Sequence, residues 1–387
     1  MSMKPIAIYI HWPFCLSLCP YCDFNSHLLE KADIDLWIRS YKKEIAFFQE
    51  QISGRKISSI FFGGGTPSLM NPKIPQAIIE ELSKYGQIAK NTEITLEANP
   101  TSYETNKFRL FKKAGINRVS IGVQSTQDKN LKFLGRKHSS SQAIEAIQSA
   151  ANIFDKYSYD LIYALPGQSI SDWQLELQNA QKFCGDHISL YQLTIEKGTP
   201  FYKQHNLGAF TLPSDDLAAN MYEWTNSYLK KGNYNQYEIS NYSKPNAECV
   251  HNLSYWNYDE YIGIGPGAHS RIHGINSIEA AMALNSPNLW LESIKTKGNG
   301  MQYQRKLSTE ETVRECVMMS TRLTKGLKER NLIAKTNKNF KQVFNPEILQ
   351  LYQKHNFLQI KQNTLQLTAK GLMLHNYIIP RLIKNIF

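Results

Sequence analysis

The chain has 387 residues, which at about 100–200 residues per domain allows two or three domains. Hydrophobic residues make up 42% and charged residues 20%, enough for a sizeable core and incompatible with a mainly disordered chain. The net charge of +11 is uneven: residues 295–387 hold 17 Lys/Arg against 5 Asp/Glu, and residues 1–294 hold 27 against 28. Such a basic C-terminal module suits nucleic acid, an anionic membrane surface or an acidic ligand, and equally a solvated Lys-rich surface.

In chain order, Ile6–Ile10 reads as a strand and a cysteine-rich loop follows. Leu36, Ile38, Tyr41, Ile45 and Phe48 then mark a helix over about 33–51. Strands are predicted at Ile57–Phe62, Glu93–Ala98, Val119–Val123, Tyr159–Leu165 and Ile188–Ile195. Between them lie helical stretches around Ile78–Leu82, Phe108–Ala114, Ser141–Phe154 and Asp172–Phe183. Six strand–helix alternations imply a parallel sheet with outer helices, an α/β fold short of the usual eight units: a partial (β/α)6 barrel. Ser214–Lys231 reads as a further helix, and 234–274 resists assignment. Pro287 and Gly298-Asn-Gly300 suggest a linker. Helix Thr309–Leu323, helical pieces to Leu351, strands Phe357–Ile360 and Thr364–Leu367 turning at Asn363-Thr364, and a helix from about Thr368 suggest a small, mainly helical, winged-helix-like domain. The expected division is a core over 1–240, a connecting region over 241–300 and the basic domain over 301–387.

The N-terminus lacks a small-residue cleavage site, and no stretch approaches ~18 uninterrupted apolar residues. A cytoplasmic protein with reduced thiols is expected. Cys15, Cys19 and Cys22 fall in Cys15-Leu-Ser-Leu-Cys19-Pro-Tyr-Cys22, and in a reducing compartment such a trio points to a metal. With His11 or His27 as a fourth ligand the metal is zinc; with three cysteines alone, an iron–sulfur cluster keeps one iron open. The loop follows the first strand, on the face where barrel enzymes do their chemistry. Gly63-Gly64-Gly65-Thr66-Pro67-Ser68 after the second strand reads as a close backbone approach or an ordinary Gly-rich turn; it is not a phosphate loop, because no Lys-Ser/Thr follows.

The C-x3-C-x2-C with an aromatic before its last cysteine resembles the radical S-adenosylmethionine (SAM) superfamily. Tyr9-Ile-His11, Cys19-Pro-Tyr-Cys22, Phe62-Gly-Gly-Gly-Thr-Pro-Ser68, Leu96-Glu-Ala-Asn-Pro100, Ser120-Ile-Gly-Val-Gln-Ser125, Leu134-Gly-Arg-Lys-His138, Asp160-Leu-Ile-Tyr-Ala-Leu-Pro-Gly-Gln168 and His251-Asn-Leu-Ser-Tyr-Trp256 narrow it. Together they resemble the oxygen-independent coproporphyrinogen III oxidase family, and within it the HemW-type haem chaperones, over nearly the whole chain.

The resemblance implies a 4Fe–4S cluster on Cys15, Cys19 and Cys22, with Tyr9 beside it. It also implies SAM held by Gly64, Gly65, Thr66, Glu97, Gln124, Arg136 and Asp160. Each polar residue read alone is a surface, capping or salt-bridge residue, although Asp160 on an apolar strand needs a partner. The chaperones' H-N-x-x-Y-W motif implies haem on His251, Tyr255 and Trp256; alone, His251 reads as a satisfied core histidine. His269, in Gly263-Ile-Gly-Pro-Gly-Ala-His269, is a rival ligand. Two features depart from the oxidases. Phe24 stands where they carry a fourth cysteine, and strand one starts at Ile6 without their longer N-terminal extension. The expected function is a haem chaperone serving respiratory proteins, with peripheral contact to an anionic membrane. The alternatives are oxidative decarboxylation of coproporphyrinogen III and, from another class, a zinc-containing nucleic-acid-binding protein. The last is weakest, because the basic residues are dispersed.

Overall fold

The computed structural model describes residues 4–29, 32–274 and 277–384. Strands β1 (Ile6–Trp12), β2 (Ile57–Gly64), β3 (Glu93–Ala98), β4 (Arg118–Gln124), β5 (Lys156–Tyr163) and β6 (His187–Gln192) pair in that order, all parallel. Burial on both faces explains their near-continuous apolar runs. Helices α1 (Ile34–Phe47), α2 (Lys73–Tyr85), α3 (Phe108–Lys113), α4 (Ser140–Ile153), α5 (Ile170–Gln181) and α6 (Asp215–Lys231) cover the outside. Local sequence sets their starts: Asp33 caps α1, and capping boxes Ser139/Gln142 and Ser169/Asp172 open α4 and α5. Trp37, Tyr41 and Ile45 of α1 share one core with Ile8, Ile10 and Trp12 of β1, so the alternate residues Tyr9 and His11 face the barrel interior.

The sixth strand is shorter than its apolar run. Leu193 and Ile195 leave the sheet to pack with Leu134, Leu165 and Phe201 in a separate cluster. The unassigned region 234–274 contains β7 (Asn235–Glu238), β8 (Asn241–Ser243), helix α7 (Val250–Trp256), β9 (Tyr261–Ile264) and β10 (His269–His273). Runs of three to five residues are too short to show a period. β9 joins the outer edge of β1 in parallel, making a seventh parallel strand. The segment read as a linker is instead ordered structure: β11 (Ile278–Ala283), α8 (Pro287–Lys297) and β12 (Met301–Lys306). Pro287 is the first residue of α8, and Gly298, at φ 80°, is its left-handed C-terminal cap, so both breakers mark a helix's ends. The full sheet runs β12-β11-β10-β9-β1-β2-β3-β4-β5-β6-β8-β7 and stays open.

The C-terminal domain comprises α9 (Thr309–Ser320), β13 (Leu327–Lys328), α10 (Glu329–Thr336), α11 (Pro346–Lys354), β14 (Leu358–Lys361), β15 (Thr364–Leu367), α12 (Ala369–Met373) and α13 (His375–Leu382), and its core takes in Tyr258, Ile278 and Ala280 of the preceding region. Its antiparallel sheet is β13-β15-β14, and the hairpin turns at Gln362 and Asn363, one residue earlier than predicted. The predicted partial barrel with a winged-helix-like C-terminal domain is the architecture found. Ion pairs fasten the domain to the barrel: Arg322 to Glu238 at 3.1 Å and Arg271 to Glu315 at 2.7 Å. Lys335 donates to the carbonyl of Tyr258 at 2.7 Å. Among the described residues no helix is long and apolar enough to cross a membrane.

Candidate functional site

The cysteine loop leaves β1 at Pro13 and folds back so that Phe14 and Cys15 pair with His27 and Leu28. Its base is fixed to the end of β2. Gly65 N–H donates to Trp12 O at 2.7 Å, and Thr66 N–H to Phe14 O at 2.8 Å. A Cβ at Gly65 would lie 2.7 Å from the Phe14 backbone, and one at Gly64 (φ 113°) 2.6 Å from the His11 ring. The chain's own packing therefore demands these glycines. Cys15, Cys19 and Cys22 are free and half-buried. Around them Leu16, Leu18, Phe24 and Leu28 are 52–61% exposed, an apolar rim.

Hydrogen bonds connect the first two cysteines in a chain. Thr66 Oγ1 donates to Cys15 Sγ at 3.4 Å and accepts from Asn99 Nδ2 at 2.9 Å. Asn99 Oδ1 accepts from Arg136 Nη2 at 2.5 Å, and Arg136 Nη1 donates to Cys19 Sγ at 3.4 Å. The Thr and Arg predicted on sequence are thus joined by Asn99, which was missed. Its signal was its place: a polar residue directly after a barrel strand, before Pro100.

The donor set does not suit zinc. The Asn25 carbonyl, 2.9 Å from His11 Nε2, can only accept, so Nε2 carries the proton and Nδ1 accepts from Tyr9 OH at 3.0 Å. His27 Nε2 is 3.3 Å from Asn25 Oδ1. Among the described residues no three His, Cys, Asp or Glu side chains converge on one ion position. A tetrahedral zinc site needs four that do, whereas a 4Fe–4S cluster spreads its cysteines over separate irons. Burial pushes the Cys22 thiol up to about 11, and Cys15 is also raised, so thiolates at these two positions call for metal charge.

Behind the loop the barrel interior is acidic. Burial, then the charge of Asp160, raises Glu97 to about 8. Asp160 rises to about 6 through burial, opposed by hydrogen bonding to Ser189 and by the charges of Arg118 and Arg136. Glu97 Oε2 accepts from Gly64 N–H at 3.2 Å. Gln124 ends β4 beyond an irregularity in pairing, at φ 68°, a conformation that costs a non-glycine residue about 1 kcal/mol or more. The buried Nε of Arg136 has no hydrogen-bond partner among the described residues. Arg118, deeper and also missed, donates to Ser158 Oγ at 2.8 Å. This interior fits a ligand bearing both signs of charge: cationic groups for the two carboxylates and a carboxylate for Arg136.

The His251 segment lies directly behind that interior, its ring stacked on Tyr9 at 6.2 Å between centroids. α7 closes the end of the barrel where the strands begin. His251 Nδ1 is 2.9 Å from Ser59 Oγ, Nε2 is 3.1 Å from Tyr255 OH, and the backbone N–H donates to Glu93 Oε1 at 3.3 Å. The ring stacks on Phe61 at 4.9 Å and is 1% exposed; burial lowers its pKa to about 3. Tyr255 meets Tyr261 edge-on, and the Arg322 guanidinium lies 4.5 Å above Trp256. The His251 ring nitrogens and the Tyr255 hydroxyl are thus engaged within the protein, whereas the buried indole N–H of Trp256 has no hydrogen-bond partner among the described residues. His269, by contrast, is exposed.

Residues 9–178 match the radical SAM superfamily and residues 307–374 the HemN C-terminal domain. The chain is 36% identical to the heme chaperone HemW of Buchnera aphidicola subsp. Schizaphis graminum, covering 98% of both. The chain belongs to the HemW family of radical SAM proteins. It is also 35% identical to the mitochondrial radical S-adenosyl methionine domain-containing protein 1 of Danio rerio, covering 97% of this chain and 86% of that protein. The fold is that of the Escherichia coli radical SAM enzyme coproporphyrinogen III oxidase (HemN), with TM-score 0.81 at 21% identity, covering 97% of this chain and 89% of that one. Membership of the superfamily implies a 4Fe–4S cluster and SAM. When bound, the cluster supplies one electron and SAM the sulfonium that receives it.

Proposed function

We propose that this HemW-family chain is a haem chaperone: it carries a 4Fe–4S cluster, SAM and haem, and passes haem to an acceptor protein, a respiratory protein being the expected class. End-to-end similarity to proteins named heme chaperones carries this reading. In it, Cys15, Cys19 and Cys22 hold the cluster. Gly64, Gly65 and Thr66 set the loop against β2, and Tyr9 orients His11. Glu97 and Asp160 take the cationic groups of SAM, Gln124 its polar edges and Arg136 its carboxylate. For His251, Tyr255 and Trp256 to receive haem, Tyr255 must leave Nε2 and Arg322 must leave Trp256. The division at about 240 and 300 is retained only as functional regions, since strands from all three take part in one structure.

The lysines of the C-terminal sheet supply the expected contact with anionic lipid. Lys325, Lys328 and Lys361 line one shallow cleft with Thr364 and Gln366. The decisive experiment starts from anaerobically reconstituted protein. Haem binding and transfer to an apo-haem protein should be measurable, while coproporphyrinogen III with SAM and reductant stays unconsumed. Turnover at about 1 per minute or faster, still below typical enzyme rates, would replace the chaperone by an oxidase.

A further inference from the structure

One face of the sheet runs from the SAM cavity out to solvent. Tyr9 on β1 pairs with Gly263 on β9. The pairing of Tyr261 with Arg271 sets Gly263 opposite His269 on β10. His269 pairs with Met282 on β11, and Met282 with Tyr303 on β12. Directly paired residues share a face, so Tyr9, His269, Met282 and Tyr303 stand in one row across neighbouring strands, about 5 Å apart per strand. Gly263 carries no side chain because the chain at His269 packs directly over it: a Cβ there would lie 2.1 Å from the His269 carbonyl oxygen. The next row, Arg271 and Ala280, is covered by the C-terminal domain through the Arg271–Glu315 ion pair and the shared core that includes Ala280. The first row is left open: His269 and Tyr303 are exposed and Met282 is half-buried.

We propose that this ledge is where haem sits, with His269 as the iron ligand and Met282 and Tyr303 beneath the macrocycle. This rests on the haem-chaperone reading above. The His269 ring makes no hydrogen bond among the described residues, and a neutral imidazole on a strand points its nitrogen away from the sheet. Desolvation by its neighbours and then the Arg271 charge lower its pKa, which favours the neutral imidazole that a metal ion needs. A thioether and an aromatic ring beside it give the polarisable, apolar floor that a porphyrin covers. Charge also matches. Arg305, paired with Ala280 on the same face, is 53% exposed and bonded to Glu311 at 2.7 Å. An exposed pair of this kind is worth about 0–1 kcal/mol, so a propionate can share the guanidinium. Met282 and Tyr303 would pack against a haem held by His269, and His269 would be the only iron ligand this row supplies, leaving further ligation to an acceptor protein.

The test is hemin titration of the full-length protein and of His269→Ala, His251→Ala and the double variant Met282→Ala/Tyr303→Ala. Thermal melts and cluster absorption serve as folding controls. Wild type should show a histidine-ligated Soret band and should bind added imidazole or CO at the free axial position. His269→Ala should bind at least tenfold more weakly with an altered spectrum. A larger loss in His251→Ala than in His269→Ala would return the ligand role to His251 and overturn the ledge, and the double variant should lose affinity with its spectrum retained. An unchanged His269→Ala beside a haem-binding wild type overturns the ledge and leaves the chaperone reading intact. A wild type that binds no hemin removes that reading, and the ledge with it.

Discussion

The hydroxyl of Ser59 and Nδ1 of His251 are 2.9 Å apart at the closed end of the barrel. That bond, with Tyr255 on the other ring nitrogen, gives His251 a structural task. His251→Ala should therefore lower the melting temperature: it leaves a cavity and two unpaired hydroxyls, together costing about 2–4 kcal/mol. Cluster content should be unchanged, and iron and sulfide analysis of the variant checks this.

Replacing Cys15, Cys19 and Cys22 together by Ala should abolish the visible absorption of reconstituted protein. Arg136→Met keeps the three thiols and removes the donor to Cys19. Hydrogen bonds to cluster sulfur raise reduction potentials, so the variant should titrate lower by on the order of 50–100 mV. Asn99→Ala, acting through Thr66 and Arg136, should move the potential the same way by less. Unchanged potentials in both would mean that the hydrogen-bond chain has no influence on the cluster.

Glu97 makes SAM binding depend on pH. Cationic SAM prefers the ionised carboxylate, which in the free protein forms only as pH rises toward about 8. Affinity should climb between pH 6.5 and 8, by less than tenfold per unit, and Glu97→Gln should flatten the profile; calorimetry reads both. Stability runs the opposite way. The folded pKa lies above the unfolded value of 4.5, so the native state binds the extra proton between them and loses stability as pH rises through that window. Free of SAM, Glu97→Gln should melt higher than wild type at pH 8, by about 2 °C for each kcal/mol relieved. The two should converge near pH 5.

Gly65→Ala should disable the site without touching a cysteine. Its Cβ meets backbone, which cannot rotate away, and overpacking of this kind costs about 1–3 kcal/mol. Reduced iron content on reconstitution is the expected result.

Charge reversal of Lys325, Lys328 and Lys361 to Glu should abolish binding to anionic liposomes at low salt, each lysine being worth about 1 kcal/mol. Deleting the domain is a poorer test. Arg322 is the partner of Glu238 Oε2, whose side chain is 1% exposed, and stranding such a charge costs about 3–5 kcal/mol. If wild type ignores the liposomes, the membrane contact is wrong.

The six parallel strands were legible because each is a mainly apolar run, three of them ended by Gly63, Asn99 and Pro166. The thiol trio and the mouth residues were legible as motifs. The strands β7 to β12 were not: each is short, and Tyr261–Ile264 gains its meaning only by pairing with β1, more than 250 residues earlier in sequence. Asn99 and Arg118 were silent for another reason. Their roles are relations to side chains from other strands, and a linear pattern does not encode them. His251 illustrates the converse, since the motif was visible and its enclosure by Ser59, Phe61 and Tyr255 was not.

The apolar rim of Leu16, Leu18, Phe24 and Leu28 has a colloidal consequence. It sits on a body whose 294 residues are almost electrically neutral, so that body's own charge does little to keep two copies apart. Repulsion between molecules comes from residues 295–387, and salt screens it over about 10 Å at 0.1 M. Rising ionic strength should therefore drive copies together loop to loop, and the thiol loop itself becomes the adhesive surface.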